Sequence, residues 1–493
     1  MDDTSARVVL VRADEESRKK LVKSPEPSSL RAKARAEVAA KRNALTVLVP
    51  IQADLKRRWL LKMALREIGQ DIQNNPHMSF GQLKATHFLR WVIVPGPREM
   101  LAFEANFDHS AGEFLEDFIR VAGKALKERI YCHCEPAIGE HDSDEDLFGY
   151  LLDHALPEAL FYHSYPGVTV ESIDNDARVR ELINQYLDGG SRVLPSKSRC
   201  RPALQLREDI QHHLEQVREE PVPRLDPDTV PWKTRLMRTR FMRRFMLGLS
   251  LPLAIPTGLA LLGLEFAEVT AEVTKKKWKA LVGRGEPRMH AYGGEDARRL
   301  GELLEREDFK TQNQLTHLVE LKPGVLRLPL LKLVFRLWGY LATYYFNEGT
   351  LGGIEGIHFA RWVLIPDGRE AEGKRRWPRK KYRLLFFSNY DGSWESYLGS
   401  FVDRASIGLT TIWCNTRGFP RTRIRLWPLR LELGADREEA FKQWVRQCQV
   451  PTQVWFTRHP DKSVNNIANN REIRSKLRAR LTPEQVRDWL LCL

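Results

Sequence analysis

The chain lacks several of the signals by which secreted proteins and common enzymes are recognised. Only six cysteines occur in 493 residues, too few for a disulfide framework, so we expect a reducing compartment. Charges stand near the N-terminus where a secretory signal needs an apolar run, so no signal peptide is predicted. The chain contains no P-loop, dinucleotide-binding glycine motif, serine-hydrolase elbow or zinc-protease motif. The motifs therefore point to no particular reaction.

Composition and charge set broad limits. Hydrophobic residues make up 42% of the chain, enough for globular folding, and the length predicts two or three domains. The formal net charge is +14. This excess favours an anionic partner such as lipid headgroups or nucleic acid, but it indicates no fold.

The most informative feature is an internal repeat. Several blocks recur in the same order in the two halves, so chance similarity is a poor explanation. The first pair reads HFLRWVIVP and HFARWVLIP, which share His, Phe, Arg, Trp, Val and Pro. The matched blocks are 87–95 with 358–366, 101–108 with 384–391, 130–136 with 412–418, and 157–176 with 451–470.

Each copy predicts the same order of elements. An opening strand leads to a basic amphipathic helix, two strands in a hairpin, a helix, and a strand near Tyr131 or Trp413. A further helix and strand and a closing helix follow. The first six elements have the βαββαβ order of ferredoxin-like folds. We therefore predict an α+β fold of two ferredoxin-like repeats with extra elements. Their open sheet faces should pack together as a pseudo-dimeric α+β barrel, because an exposed apolar face is a liability.

The repeat also sets the predicted domain boundaries. The middle of the chain belongs to neither copy and contains helical and proline-rich stretches. The segments are 1–43, a flexible basic arm with one transient helix; 44–188, the first repeat; 189–312, the connector with its apolar segment 245–264; and 313–493, the second repeat.

The apolar segment 245–264 suggests membrane contact. It has no charged residue, and a helix of its length would span roughly 30 Å, the thickness of a hydrocarbon core. A basic stretch precedes it, which suits an anionic cytoplasmic leaflet. Pro252 and Pro256 should break or kink the helix, and a single crossing would separate the two repeats. We therefore predict a re-entrant or surface-lying helical hairpin; the alternative is a buried hairpin in a soluble protein.

Two other segments could contact anionic surfaces. Residues 326–346 mix Arg327, Lys332 and Arg336 with bulky apolar residues, which fits an interfacial helix with snorkelling cations; the alternative is a helix packed on the second repeat's own sheet. Residues 367–383 form a basic hairpin insertion that could touch headgroups or a nucleic-acid backbone, or simply be solvated. Nucleic acid is the less expected partner, because no strand carries an RRM-type aromatic pair.

The polar residues kept in both copies are the candidate site. Strand alternation places His87 with Leu89 and Trp91 on one face, and Arg90 on the other. An Asn and Asp two residues apart at a strand end could position a substrate or orient a base; the Asp residues could instead cap helices. The candidates are Asn106, Asp108, Asn389, Asp391, Arg90, Arg361, His87 and His358.

Each remaining candidate has a structural alternative. The two histidines could be ligands or acid–base groups, or could be satisfied by backbone carbonyls. A mid-strand arginine needs an anion or an acidic partner such as Glu104 if it is buried. Cys132, His133 and Cys134 are predicted to lie on one strand with His133 pointing away from the cysteines. We therefore expect no metal site there.

On the blocks HFLRWVIVP…FEANFD and HFARWVLIP…FSNYD, the chain resembles a largely uncharacterised group of bacterial and fungal tandem-repeat proteins. More remotely it resembles the dimeric α+β-barrel superfamily, which includes dye-decolourising peroxidases and chlorite dismutases. That resemblance would imply haem and oxidative chemistry. Only Asp391 followed by Gly392 is similar to the peroxidases' distal loop, and no helix offers a clear proximal histidine. Haem is therefore an analogy of fold.

Together these features predict a membrane-associated protein on the cytoplasmic side, peripheral or re-entrant. Its paired repeats would enclose a pocket for an apolar or lipid-like ligand, with oxidoreductase activity of the α+β-barrel type if it is an enzyme. The alternative is a non-enzymatic binding or scaffold protein that uses its basic surfaces on anionic membranes.

Overall fold

The chain folds into a mixed α+β structure. The computed structural model describes residues 28–72, 75–193, 203–218, 220–226, 236, 239–282, 294–305, 307–308, 310–344, 351, 353–366, 381–426 and 429–493. These residues form two four-stranded antiparallel sheets, one two-stranded ribbon and thirteen α-helices. The prediction of an α+β chain is confirmed at this level.

The strands are β1 Arg42–Pro50, β2 Thr86–Val94, β3 Met100–Ser110, β4 Glu158–His163, β5 Gln312–Glu320, β6 Ile357–Pro366, β7 Tyr382–Asp391, β8 Arg423–Leu426, β9 Leu429–Glu432 and β10 Val454–Thr457. The helices are α1 Ser28–Ala39, α2 Leu55–Gln70, α3 Ala111–Ala125, α4 Asp144–Asp153, α5 Val170–Val193, α6 Ala203–Gln216, α7 Arg240–Val282, α8 Gly294–Leu304, α9 Arg327–Tyr344, α10 Trp394–Trp413, α11 Glu438–Cys448, α12 Val464–Leu477 and α13 Pro483–Leu490.

The two halves of the chain exchange a strand. The first sheet has the order β1-β3-β2-β10 and the second has the order β4-β6-β7-β5. Strand β4, from the N-terminal half, therefore pairs with β6, where Phe161 faces Arg361. Strand β10, from the C-terminal half, pairs with β2, where Trp455 faces Arg90. The sequence blocks predicted both strands, but not that each would join the sheet of the other half.

The strongest repeat blocks occupy matching elements. The two HFxRWV blocks form β2 and β6, and each is paired in a hairpin with the strand that follows it, β3 or β7. The opening strands β1 and β5 pair with those same partners, β3 and β7. The predicted hairpins are thus confirmed.

The strands predicted near Tyr131 and Trp413 are wrong. Residues Leu126–Ile130 continue α3 as a π-helical turn, Tyr131–His133 form a 3-10 turn, and Trp413 is the last residue of α10. The apolar side chains there still point inward, since Tyr131 is fully buried in the helix-side core. Isolated β-bridges, Ile51 to Cys134 and Leu321 to Thr416, join these turns to the residues directly after the opening strands. Apolar alternation over so few residues does not distinguish a strand from a tight helical turn.

Two predictions about the flanking segments also change. Part of the predicted flexible arm is helix α1, which Arg35 ties to Asp153 through two hydrogen bonds of 2.7 and 2.6 Å; residues 1–27 lie outside the described part. The apolar segment 245–264 is not a hairpin but part of the single helix α7, with Pro252 and Pro256 inside it on its exposed side. The tip of the basic insertion at 367–380 also lies outside the described residues.

The core has three layers, because the two sheets face each other and carry their helices on the outside. On the outer side of the first sheet, Leu61 and Leu65 of α2 pack in one cluster with Trp91 and Phe103. On the outer side of the second sheet, Leu331 and Phe335 of α9 pack with Trp362 and Phe386. Between the sheets lies a third cluster of residues from both, including Val92, Val94, Val363 and Leu385.

Candidate functional site

Two buried histidine–aspartate pairs lie at one end of the space between the sheets. The ring nitrogen Nε2 of His87 is 2.7 Å from Oδ1 of Asp108, and Nε2 of His358 is 2.8 Å from Oδ1 of Asp391. Both histidine side chains are almost fully buried, with exposed fractions of 2% and 0%. The structure therefore brings four of the predicted site residues into two equivalent contacts.

Each aspartate also holds the start of a helix. Oδ2 of Asp108 accepts the backbone N–H of Val170 at 2.9 Å, and Oδ2 of Asp391 accepts that of Val464 at 2.7 Å. These residues begin α5 and α12, the helices that follow the exchanged strands. A carboxylate at a helix N-terminus is favoured by the free N–H groups and by the helix dipole. The alternative that each aspartate caps the helix directly after its own strand is wrong, because Ser110 caps α3 and Ser393 caps α10. Each aspartate contacts the start of a later helix instead.

The histidines do not follow the predicted alternation. The register of β2 against β3 shifts between Thr86 and Phe88, and β6 has the same irregularity between Ile357 and Phe359. Such a bulge inserts one unpaired residue and changes the direction of its side chain. His87 therefore contacts Phe359 of the other half, with ring centroids 5.3 Å apart, instead of joining Leu89 on the helix side.

His163 and Tyr165, which the repeat did not single out, complete this end of the interface. The hydroxyl of Tyr165 is 3.0 Å from Nδ1 of His358, and the ring of His163 stacks on Phe359 at 4.4 Å. Nε2 of His163 is buried with no hydrogen-bond partner among the described residues. Burial, together with the nearby rings of His87 and His358, lowers the pKa of His163 well below its ordinary value. Burial raises the pKa of Tyr165 well above its ordinary value.

Arg90 and Arg361 lie at the centre of the interface, and each crosses to the other sheet. Arg90 Nη1 donates to the carbonyl of Leu315 at 3.1 Å and to Thr316 Oγ1 at 3.3 Å. Arg361 Nη1 donates to the carbonyl of Leu45 and to Thr46 Oγ1, both at 2.6 Å. Arg90 Nη2 donates to the carbonyl of Ser388 at 3.0 Å, and Arg361 Nη2 to that of Ala105 at 2.9 Å. For each arginine, two backbone carbonyls and one threonine hydroxyl thus accept hydrogen bonds from the two terminal nitrogens of the guanidinium group.

A single carboxylate, that of Glu104, serves both arginines. Its Oε2 lies 3.0 Å from Arg90 Nε and its Oε1 lies 3.4 Å from Arg361 Nη2. All three side chains are at most 2% exposed. Burial lowers the pKa of both guanidinium groups, and the charge of Glu104 opposes that effect. The predicted pairing of Arg90 with Glu104 is the contact observed; the sharing was not predicted, because Phe387 stands at the matching position of the second copy.

The two asparagines that stand at matching positions of the repeat meet across the same interface. Asn389 Nδ2 donates to Asn106 Oδ1 at 3.3 Å. Asn389 Oδ1 accepts from Arg90 Nη2 at 2.5 Å and from the Trp455 indole at 3.0 Å. The asparagines therefore belong to the arginine centre and not to the histidine–aspartate pairs, although only one residue separates each of them from an aspartate in sequence.

The cysteine–histidine segment is not arranged around a common centre. Cys132 Sγ donates to the carbonyl of Glu128 and Cys134 Sγ to that of Ile130. Among the described residues no group of three His, Cys, Asp or Glu side chains is placed to hold a metal ion. The segment is a helical turn and not the predicted strand. The alternating side-chain directions of a strand are therefore not the reason why its cysteines and histidine fail to converge.

A cavity of about 20 Å³ lies between the second sheet and its helices. This volume exceeds the roughly 10–15 Å³ that one water molecule needs. His317 lines it with Trp362, Trp413 and Trp444. Both ring nitrogens of His317, which is 1% exposed, lack a hydrogen-bond partner among the described residues, as does the indole nitrogen of Trp362. Burial lowers the pKa of His317 to about 3, so the ring is neutral at pH 7.

No protein-family model, no curated protein and no solved structure matches the chain.

A further feature of the structure is the surface of α7. One helical span of the described chain, 240–268, is long and apolar enough to cross a membrane on length and composition alone, and 17% of its most apolar window is buried. The side that packs on the protein carries polar side chains such as Ser250, Thr257 and Glu265, which are 5–8% exposed. The outward side carries bulky apolar residues that are 55–64% exposed: Phe245, Leu249, Ile255, Leu259 and Phe266.

Proposed function

We propose that this protein is a peripheral membrane protein of the cytoplasmic side and that α7 is its membrane-contacting element. The observation that carries the proposal is the reversed polarity of α7. Helices on the surface of a protein in water turn their apolar side inward. In α7 most of the large apolar side chains point outward, whereas the inward side carries the three polar residues named above together with the buried Leu261. An apolar surface of this extent marks a contact with lipid or a partner.

The contacts of α7 favour a helix that lies along the membrane. Its C-terminal part is tied to the protein by Glu268, which pairs with Lys322 at 2.8 Å and with Arg327. Its N-terminal part meets α9 where Met246 Sδ is 2.9 Å from the Tyr340 hydroxyl. A helix held to the protein near both ends of its apolar span can present only one side to lipid.

Basic residues beside the apolar surface suit an anionic leaflet. Arg240 and Arg244 are exposed at the N-terminal end of α7, and the whole chain carries a net charge of +14. Cations next to a bilayer that contains anionic lipid each contribute about 1 kcal/mol. The proposal therefore specifies an anionic membrane surface rather than a neutral one.

We also propose the finer architecture, two ferredoxin-like copies that form a pseudo-dimeric α+β barrel. Three observations support it. The HFxRWV blocks form equivalent strands, β2 and β6. The exchange of β4 and β10 is reciprocal. The contacts of Arg90 and Arg361 across the interface mirror each other. In this proposal the sheets act as a rigid body that carries α7.

A second candidate function is binding of a small neutral ligand in the cavity beside His317. It is favoured by the unpartnered ring nitrogens of His317 and the indole nitrogen of Trp362, which lie in otherwise apolar surroundings. Buried polar atoms without partners are costly, and a guest that can hydrogen-bond would reduce that cost. The cavity is far too small for a lipid or a haem, so this candidate concerns a molecule about the size of water.

The membrane proposal is tested by flotation with phosphatidylcholine vesicles that contain phosphatidylserine. The test variant is the triple substitution Phe245→Glu, Leu259→Glu and Phe266→Glu. It places charges on the outward side of α7 and should lower the partition coefficient at least tenfold, since burial of each such side chain contributes about 1.5–3 kcal/mol. The matched control replaces three exposed apolar residues elsewhere, Leu204, Ile407 and Leu491, with Glu.

The control variant should bind within twofold of the wild-type chain, and circular dichroism should show both variants folded. Equal binding of the α7 variant and the wild-type chain would contradict the proposal. Absence of wild-type binding at every phosphatidylserine content would do so as well.

A further inference from the structure

Helix α2 carries a second exposed apolar stripe. Leu55, Trp59 and Met63 are 77%, 60% and 44% exposed. They are spaced four apart, so they form one line along the helix. The buried residues of α2 are Leu61, Leu65 and Ile68. At 100° per residue the stripe lies on the opposite side of the helix from these three, and it therefore points directly away from the first sheet.

Cations border this stripe. Lys56, Lys62 and Arg66 are exposed on α2, and on a helical wheel they lie beside or between the apolar residues. Lys62 Nζ lies 3.4 Å from Glu99 Oε1, and the carboxylate of Glu99 also pairs with Arg58. A line of apolar residues that includes a tryptophan, edged by lysine and arginine, is the composition of a helix at an anionic membrane interface.

The stripe and the outward side of α7 lie on opposite sides of the paired sheets. Helix α2 lies on the outer side of the first sheet, and α7 packs on α9, which lies on the outer side of the second sheet. The inner sides of the two sheets face each other, as the cross-sheet bonds of Arg90 and Arg361 require. The paired sheets therefore lie between the two apolar surfaces, which places these surfaces for contact with separate bilayers.

We propose that the α2 stripe is a second contact for an anionic lipid bilayer, and that one molecule can hold two bilayers together. The bridging part rests on the proposed function of α7, since that helix supplies the other contact. Lipid is favoured over a second copy of this chain by charge, because a symmetric contact between two α2 helices would bring Lys56, Lys62 and Arg66 against their own copies.

The experiment compares vesicle binding with vesicle clustering. The full chain is mixed with phosphatidylcholine–phosphatidylserine vesicles; flotation measures binding and dynamic light scattering measures clustering. The test variant is Leu55→Glu, Trp59→Glu and Met63→Glu. Because α7 is intact, this variant should bind within threefold of the wild-type chain. Its initial clustering rate should fall at least fivefold, whereas the Leu204, Ile407 and Leu491 control variant should cluster normally.

The possible negative results of this experiment contradict different parts of the proposal. A wild-type chain that binds vesicles without clustering them overturns the bridging proposal and leaves the role of α7 intact. A wild-type chain that does not bind overturns both. If the α2 variant still clusters vesicles at the wild-type rate, the α2 stripe is not the second lipid contact.

Two further measurements identify the occupant of the stripe. Quenching of tryptophan fluorescence by brominated lipid should decrease in Trp59→Phe, because the indole of Trp59 would lie among the acyl chains. An unchanged quenching profile would overturn the lipid contact. Sedimentation of the protein without vesicles would overturn it too, if the wild-type chain were a dimer and the α2 variant a monomer, since a second copy would then cover the stripe.

Discussion

The N-terminal and C-terminal halves make matching contacts where the two sheets meet. Arg90 and Arg361 each cross to a leucine carbonyl and a threonine hydroxyl of the other half. Asp108 and Asp391 each join a histidine to the start of the helix that follows an exchanged strand. Contacts that occur twice in the same geometry hold the two halves together.

Three differences between the halves concern the centre, the cavity and the outer helices. Glu104 faces both arginines from the first half, while the second half has Phe387 at the matching position, with its ring 5.3 Å from the Arg90 guanidinium carbon. His317 lines a cavity where the first half has Val47. Helix α9 is partly covered by α7, whereas the outward stripe of α2 is exposed. The shared contacts therefore indicate architecture, and the differences are the places to search for function.

The largest effect is expected at Glu104, because the second half supplies no replacement for it. Glu104→Gln leaves two buried arginines without an anion, which should lower the free energy of unfolding by about 3–5 kcal/mol. The urea midpoint measures this. Glu99→Gln, at a partly exposed pair with Arg58 and Lys62, is the control and should cost about 1 kcal/mol or less. Equal effects at the two glutamates would contradict the account of the centre.

The next effect tests whether the two histidine–aspartate contacts are equivalent. Asp108→Asn and Asp391→Asn should each lower the free energy of unfolding by about 2 kcal/mol, since each weakens hydrogen bonds made by a charged group. The urea midpoints of the two variants should agree closely. A loss of stability in one variant and none in the other would show that one contact is not structural, and would reopen a chemical role for its histidine.

The smallest effect concerns His317 and depends on pH. Burial lowers the pKa of His317 to about 3, while the unfolded chain has an ordinary histidine pKa of about 6.5. Between these values the unfolded state binds a proton that the folded state does not. Stability therefore falls as the pH is lowered through this window, by at most about 1.4 kcal/mol per pH unit from this group.

His317→Val, which installs the residue of the first half, should remove this contribution. Urea midpoints from pH 7 to pH 5.5, a window over which this group should cost about 1 kcal/mol, should fall less steeply in the variant than in the wild-type chain. Parallel curves would contradict the burial of a neutral His317. The variant His141→Gln, at an exposed histidine, is the control and should leave the slope almost unchanged.

The sequence predicted much of this structure because a repeat supplies each element twice. The hairpins β2–β3 and β6–β7 followed from period-two patterns confirmed in both copies. The sequence did not predict which sheet each edge strand would join. An apolar strand such as 454–457 fits the edge of either sheet, and nothing local distinguishes β2 from β6 as its neighbour. The bulge that redirects His87 was equally hidden, because one unpaired residue leaves the alternation around it intact.

The candidate site was predicted in part. The eight polar residues singled out from the repeat do lie between the sheets, but they form two separate groups, the arginine centre and the histidine–aspartate pairs. His163, Tyr165 and His317 were missed because none is repeated: Thr457, His459 and Val47 stand at the matching positions. A search based on the repeat finds only residues that both halves share. It could not find functional residues that occur in one half alone.

The claim that the outward side of α7 lies in lipid can be tested by photocrosslinking. The full chain carries p-benzoylphenylalanine in place of Leu259, or in place of Leu491, another exposed apolar residue that lies outside α7. It is irradiated on phosphatidylserine-containing vesicles and analysed by mass spectrometry. The account predicts lipid adducts at position 259 and few or none at position 491. No lipid adduct at 259 on bound protein, or equal adducts at both positions, would contradict it.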